Sequence, residues 1–250
     1  MVQAASEFER ILASENSQNM NSKLKVRVLN DLGLTYKKMG RYPESLEKYS
    51  EAYRLAAKVF GKRHSNTAII MDNFAGALSV MGRDQDALDI QLQTVIILKE
   101  TGGPMSQELA ITLGSVGENL IKFRRYKEAL KFLKQSLSIL ERKGENQVAI
   151  AIALNNIAGV YRRLKRFQEA EQLYLRAQKL LALSVGEGHF EFGINVNNLA
   201  GIYRLQGRES EAKQGYSSSI EILTKALGSN HPEVVRIQKS YQQYLDEAKQ

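Results

Sequence analysis

The chain has no cysteine and no tryptophan, and only three of its 250 residues are proline. Without cysteine it has no disulfide, no thiolate metal site and no cysteine nucleophile, which fits a reducing compartment such as the cytoplasm. It also has no apolar run near the roughly 18 residues of a membrane span. The string VQAA near the start resembles the end of a chloroplast transit peptide, so the chloroplast stroma is the alternative location.

One unit recurs along the chain with a period of about 42 residues. Residues 153–174 and 195–216 are identical at eleven of 22 positions. A fixed period between 20 and 50 residues indicates a stacked-repeat architecture. Each unit holds two segments with helical apolar spacing, joined by a short turn, and so predicts a pair of helices. A column of small residues marks the register: Gly33, Ala75, Gly117, Ala158 and Ala200.

The unit resembles the tetratricopeptide repeat, which has small residues where its helices cross and Ala-x-x-x-aromatic in its second helix. That element appears as Ala170 to Tyr174 and as Ala212 to Tyr216. The longer period, with NNLAGIY and LGSNHPEV, is similar to the kinesin-light-chain type of the repeat. Repeats two and three depart from the pattern, since Gln91 and Leu133 stand where the aromatic residue is expected.

The resemblance implies an all-α fold, a right-handed α-solenoid of about five helix pairs with capping helices at both ends. We expect one solenoid over residues 1–250, with a closing helix that has one solvent-exposed face. Its parts are a capping helix at 1–14, repeats at about 26–66, 68–108, 110–149, 151–191 and 193–232, and a closing helix at 233–248.

In the resembled family the first helix of each pair lines a concave groove. We number each repeat so that its first small residue is position eight. Positions five, six, twelve and thirteen then lie on or beside the face opposite the core. We expect amides there to hold the backbone of an extended peptide and basic residues to favour acidic ligand groups. The predicted site comprises Asn30, Asp31, Asn73, Asn155, Asn156, Asn197, Asn198, Lys37, Lys38, Lys122, Arg162, Arg163 and Arg204.

Glycine recurs beside these amides at position nine, as Gly76, Gly159 and Gly201. A missing side chain there gives a ligand backbone room to approach. The alternative interpretation is structural: the amides bond neighbouring helices and the glycines ease packing.

Nothing in the sequence indicates catalysis or a bound cofactor. It contains no phosphate-binding loop, dinucleotide fingerprint, HExxH or GxSxG motif. The histidines, His64, His189 and His231, recur at one position in the joints between repeats. Stacked helices lie about 10 Å apart, so these residues are too distant to share a metal ion. We expect no enzyme, no metal and no cofactor.

The predicted function is a protein–protein interaction scaffold or adaptor that binds an acidic or extended segment, or a partner helix, as a subunit or assembly factor of a larger complex. The net charge of +8 leaves a nucleic-acid-associated protein as one alternative. Against it, Tyr36, Tyr161 and Tyr203 fall in core columns. A further alternative is a structural subunit that uses its convex face. The sequence leaves the oligomeric state open.

Overall fold

The computed structural model describes residues 2–13, 20–102, 106–144 and 146–247, which form twelve helices and no strand. The predicted all-α fold is confirmed. The ends of the two predicted capping segments, residues 1, 14 and 248, lie outside the described ranges. The helices are α1 (Val2–Ala13), α2 (Ser22–Lys38), α3 (Tyr42–Val59), α4 (Ser65–Val80), α5 (Asp84–Thr101), α6 (Gln107–Lys122), α7 (Tyr126–Lys143), α8 (Gln147–Arg163), α9 (Phe167–Ser184), α10 (Phe190–Leu205), α11 (Glu209–Leu227) and α12 (Pro232–Glu247).

Ten of these helices form five consecutive pairs, one pair for each predicted repeat. We call the first helix of each pair the A helix (α2, α4, α6, α8 and α10) and the second the B helix (α3, α5, α7, α9 and α11). The chain divides into two compact units, Met1–Ile139 (unit 1) and Leu140–Gln250 (unit 2), with the division inside α7. Unit 1 and unit 2 are described separately below.

Every A helix ends in a three-residue turn whose second residue has left-handed backbone geometry. In three repeats this residue is a glycine, Gly40, Gly82 or Gly207, with φ of 76°, 77° and 76°. Arg124 and Lys165 adopt the same conformation in the other two turns, with φ of 58° and 60°. Side chains other than glycine are disfavoured in this region, so the tight turn is kept at an energetic cost in repeats three and four.

The third residue of each turn is an arginine that stabilises the start of the B helix. Its guanidinium pairs with a carboxylate three residues later, in the first turn of that helix, where negative charge also favours the helix dipole. In three repeats the same guanidinium stacks on the A-helix tyrosine, 4.1 to 4.4 Å from the ring centre. The pairs are Arg41–Glu44, Arg83–Asp86, Arg125–Glu128, Arg166–Glu169 and Arg208–Glu211.

Small residues let the helices of a pair approach closely, as the sequence predicts. In unit 1 a Cβ placed on Gly33 would lie 3.0 Å from the Tyr49 ring, and one on Gly117 would lie 2.5 Å from Leu133 Cγ. In unit 2 the corresponding Ala158 is completely buried. These contacts fix the depth at which each B helix packs and hold each A helix so that one face turns away from the core.

The terminal helices cover the outermost repeats. In unit 1, Ala5 of α1 packs in a cluster with Leu32 and Tyr36 of α2. In unit 2, Val234 of α12 packs against Leu223 of α11. Each contact covers apolar surface of the neighbouring helix.

Candidate functional site

The first three predicted residues lie together on the A helices of unit 1. Asn73 Nδ2 on α4 donates a 2.9 Å hydrogen bond to Asn30 Oδ1 on α2. Asn30 Nδ2 in turn donates to Asp31 Oδ1 at 3.2 Å. All three side chains are half-buried. The amides therefore link neighbouring A helices and still reach solvent.

A cavity of about 440 Å³ opens beside Asn30 between α2 and α4. Val26 and Ile70, both buried, form its floor together with the half-buried Ile69 and Phe60. We call this space the α2–α4 cavity. Its volume lies within the range of about 300–1,000 Å³ that is usual for ligand pockets, so it can take a large apolar side chain.

The rim of the α2–α4 cavity is polar and cationic. It is formed by Lys23, Arg27, Asn30 and Asn66. Within the described part of the chain, neither cation forms an ion pair, and Lys23 Nζ lies 6.0 Å from the ring centre of Phe60. The site thus offers two uncompensated positive charges and two amides above an apolar floor.

The last two residues of α2, Lys37 and Lys38, have different environments. Lys38 is exposed. Lys37 reaches toward the next A helix, where its Nζ is 3.3 Å from the point that a Cβ on Gly76 would occupy. Burial lowers the pKa of Lys37, and the nearby Asp72 opposes that shift. The space left by Gly76 therefore receives a side chain from the preceding repeat.

Asp72 is the one strongly perturbed carboxyl group on the described A helices of unit 1. Burial raises its pKa to about 6, while Lys37 and a hydrogen bond with Thr112 act in the opposite direction. Its Oδ1 is buried without a hydrogen-bond partner among the described residues. A carboxyl group in this setting keeps its proton to a higher pH than a solvent-exposed carboxyl group does.

Lys122 is bound within unit 1 by a polar network that includes the unusual Gln91. Its Nζ donates to Ser79 Oγ and to Asp84 Oδ1, both at 2.6 Å. Ser79 also hydrogen-bonds Asn119 Oδ1 at 2.8 Å, and Asn119 Nδ2 donates to Gln91 Oε1 at 2.8 Å. Gln91 and Asn119 are both 2 % exposed. Buried amide pairing thus replaces the aromatic residue expected in repeat two.

The predicted amides of unit 2 differ in burial. Asn155 is 8 % exposed, and its Oδ1 accepts a 2.7 Å hydrogen bond from Asn195 Nδ2. Asn156, Asn197 and Asn198 are half-buried. Asn155 therefore serves the contact between α8 and α10, whereas the other three retain contact with solvent.

The sequence interpretation missed Asn195. This fully buried residue also donates to the Tyr174 carbonyl at 3.0 Å, so it joins α8, α9 and α10. It stands at repeat position three, where the other repeats have Val28, Ile70, Thr112 and Ala153. The sequence did carry a signal for this role, because Asn195 is the only amide side chain at a repeat position that is otherwise mainly apolar.

The predicted arginines of unit 2 lie on the same face as these amides. Arg162 is half-buried, and its Nη1 is 3.2 Å from the point that a Cβ on Gly201 would occupy. Arg163 and Arg204 are exposed. The Arg204 guanidinium lies 4.8 Å from the Tyr244 ring centre. Gly201 thus leaves room for an arginine of the preceding repeat, just as Gly76 does for Lys37.

Each of the three histidines lies immediately before the first residue of a helix, α4, α10 or α12. Each Nδ1 accepts a hydrogen bond from the backbone N–H two residues later, at 3.1 Å for His64 and 3.3 Å for His189 and His231. This is the N-cap function, which satisfies a donor left free at a helix start. Within the described ranges, no three potential His, Asp or Glu ligands lie together.

Comparison with known proteins agrees with this architecture. The family described as Tetratricopeptide repeat matches residues 25–100, 70–142 and 108–182, and a second model with the same description matches residues 196–233. A search of curated proteins gave no match. In the described ranges, no helix is both long and apolar enough to cross a membrane.

Several solved structures share the fold at low sequence identity. Kinesin-light-chain repeats from Podosopora anserina superpose with a TM-score of 0.65 at 20% identity, covering 82% of this chain and 96% of that one. BtubC (BKLC) from P. vanneervenii gives 0.71 at 17%, covering 92% and 91%. A Rap protein complexed with Competence and Sporulation Factor gives 0.73 at 17%, covering 97% and 70%. The repeat columns, the helix pairs and the family match together show that this chain belongs to the tetratricopeptide repeat family.

Proposed function

We propose that this chain is a non-catalytic interaction scaffold whose A-helix faces bind a segment of a partner protein. In unit 1 the contact centres on the α2–α4 cavity. The partner segment is extended or helical and carries a large apolar side chain flanked by acidic residues. The observation that carries the proposal is the apolar cavity with the cations Lys23 and Arg27 on its rim. Among the residues that the structure describes, these cations form no ion pair and the rim has no carboxylate.

The chemistry of the cavity fits a peptide. The apolar floor gains free energy by removing a ligand side chain from water. Asn30 and Asn66 carry both donors and acceptors, so they can bond a peptide backbone whatever its sequence. Arg27 can bind a carboxylate through two parallel hydrogen bonds, which favours acidic residues beside the apolar anchor.

The A-helix face of unit 2 offers the same types of group. We assign Asn156, Asn197 and Asn198 to backbone contacts, and Arg162 and Arg163 to acidic side chains. Asn155 belongs to the interior of this face, since Asn195 already uses its carbonyl oxygen. The proposed contact surface in unit 2 is therefore the solvent-facing part of the predicted set.

Protein is favoured over nucleic acid as the ligand by the position of the tyrosines. Tyr36 and Tyr161 are 4 % and 9 % exposed, and each has an arginine stacked on its ring. Single-stranded nucleic acid is usually held by bases stacked on accessible aromatic rings. These two rings are already covered.

Site-specific photocrosslinking tests the proposal. Ile69 on the floor of the α2–α4 cavity is replaced by p-benzoylphenylalanine, and the full chain is irradiated in lysate with and without nuclease. The control carries the same residue at Ile96 on α5, which is 54 % exposed and lies outside the cavity. We expect discrete protein adducts at the first site only, unaffected by nuclease.

A second variant tests the role of charge. Arg27→Glu in the Ile69 crosslinking background reverses a rim charge, and we expect the adduct yield to fall several-fold. Lys58→Glu is the control, since it makes the same charge reversal at an exposed residue of α3 that does not line the cavity. Identical adducts at Ile69 and Ile96, or adducts that disappear with nuclease, contradict the proposal.

A further inference from the structure

A second cavity lies in unit 2 between the B helices α9 and α11. Its volume is about 530 Å³. Phe192, Val196 and Leu199 of α10 line it together with Gly215 and Ser218 of α11. We call it the repeat-five pocket. It is separate from every residue of the proposed A-helix surface.

A glycine specific to this repeat opens the pocket. Gly215 occupies repeat position twenty-three, and a Cβ placed on it would lie 2.8 Å from the Ala200 Cβ. The backbone of α11 therefore lies directly against α10, and no side chain extends from Gly215 over the apolar residues beside it. The other four repeats carry larger side chains at this position: Lys48, Ile90, Phe132 and Leu173.

The charges of the pocket are opposite to those of the chain as a whole. Its lining, as far as the structure describes the chain, includes Glu187, Glu211 and Glu221 but no lysine or arginine, although the chain has a net charge of +8. Glu211 pairs with Arg208 at the rim, and Glu221 pairs with Lys225. These pairs are partly or largely exposed to solvent, and each carboxylate retains further acceptor sites.

Glu187 is the uncompensated charge of the pocket. It is exposed in the joint between α9 and α10, and it forms no ion pair within the described part of the chain. The amides of Gln178 and Gln214 and the Ser218 hydroxyl add further acceptors to the rim. An apolar floor below such a rim complements a ligand with an apolar group and positive charge.

We propose that the repeat-five pocket is a second protein-binding site, for a basic segment that inserts one large apolar side chain between α9 and α11. The pocket volume lies within the usual range for ligand sites, about 300–1,000 Å³. Lysine or arginine residues on either side of the anchor bind the Glu187 edge and the neighbouring acceptors. The chain thus has two docking sites of opposite charge preference, one for an acidic segment and one for a basic segment.

The test uses labelled peptides and fluorescence anisotropy with the full chain. The probe is a short peptide of lysine and arginine with one central phenylalanine. One comparison peptide replaces phenylalanine by glycine, and the other replaces the basic residues by glutamate. We expect only the first peptide to bind well at physiological salt, because the site needs both the anchor and the positive charge.

Two variants locate the binding. Ser218→Trp fills the pocket with an indole, and we expect at least a tenfold loss of affinity. Glu187→Lys reverses the uncompensated charge, and we expect a several-fold loss. Glu209→Lys is the matched control, since this exposed residue on α11 does not line the pocket. Circular dichroism checks that each variant is folded. If Ser218→Trp does not fold, the affinity of Glu187→Lys for the peptide tests the site.

Four results would overturn the proposal. They are equal binding of the glycine peptide, an equal loss in Glu209→Lys, unchanged affinity in Ser218→Trp, and a dimer of the chain that Ser218→Trp dissociates. The last would mean that a second copy occupies the pocket. Arg27→Glu must leave the basic peptide bound, which separates this site from the proposed A-helix function.

Discussion

The buried carboxyl group of Asp72 makes the stability of unit 1 dependent on pH in an unusual direction. Its pKa rises from 3.8 to about 6 in the folded chain because burial disfavours the charged form. Between pH 4 and 6 the folded state therefore keeps a proton that the unfolded state has lost. The free energy of unfolding therefore falls as the pH rises through this window. Above pH 6 the contribution of Asp72 no longer changes with pH.

Asp72→Asn removes this dependence. A shift from 3.8 to about 6 corresponds to about 3 kcal/mol. Although Oδ1 is buried, the residue as a whole is partly exposed, so solvent screens part of this energy and we expect a gain of about 2 kcal/mol at pH 7. At pH 4 Asp72 is protonated in the folded state, and we expect little difference between the variant and the parent chain.

The measurement is urea unfolding followed by circular dichroism, at pH values from 4 to 7.5. The relevant quantity is the difference in the free energy of unfolding between the variant and the parent chain. Asp89→Asn is the control, because it makes the same chemical change at an exposed side chain of α5 that forms no ion pair among the described residues. If Asp72→Asn is less stable than the parent chain at pH 7, attraction to Lys37 exceeds the cost of burial and the reasoning is refuted.

Glycine and histidine positions give further predictions, each checked by thermal or urea unfolding. Gly117→Ala places a Cβ 2.5 Å from Leu133 Cγ, and we expect a loss of about 1–3 kcal/mol. Gly76→Ala meets only the flexible end of Lys37, so the higher helix propensity of alanine should leave stability unchanged or raise it by up to about 1 kcal/mol. An equal loss in both variants would contradict the packing argument. His189→Ala removes the N-cap of α10 and should cost about 1 kcal/mol, whereas His189→Asn should restore most of it.

The helix pairs could be predicted from the sequence because their signals are local and repeated. Ala170 and Tyr174, four residues apart on α9, are buried as the family pattern implies. Glycine after an A helix indicates the left-handed turn without knowledge of any partner. The all-α fold and the membership of the tetratricopeptide repeat family are both confirmed.

The functions of individual site residues depend on neighbours that the repeat columns do not show. Asn155 and Asn197 share a column, but only Asn155 meets an amide from the following A helix, which is Asn195. The space at Gly76 likewise belongs to the preceding repeat, because Lys37 fills it. Such pairings join different columns of different repeats. The predicted binding site as a whole stays a prediction.

The polar network around Asn119 has a consequence for how this chain can be rebuilt. In an ideal array any repeat can follow any other, since each interface consists of the same apolar contacts. Here the interface between repeats two and three depends on Gln91 from one repeat meeting Asn119 from the next, with Ser79 and Lys122 continuing the network. Exchanging either repeat for a consensus copy would leave a buried amide unpaired, at a cost of about 1–3 kcal/mol. The order of these two repeats is therefore fixed by hydrogen bonding, and repeats two and three are not interchangeable modules.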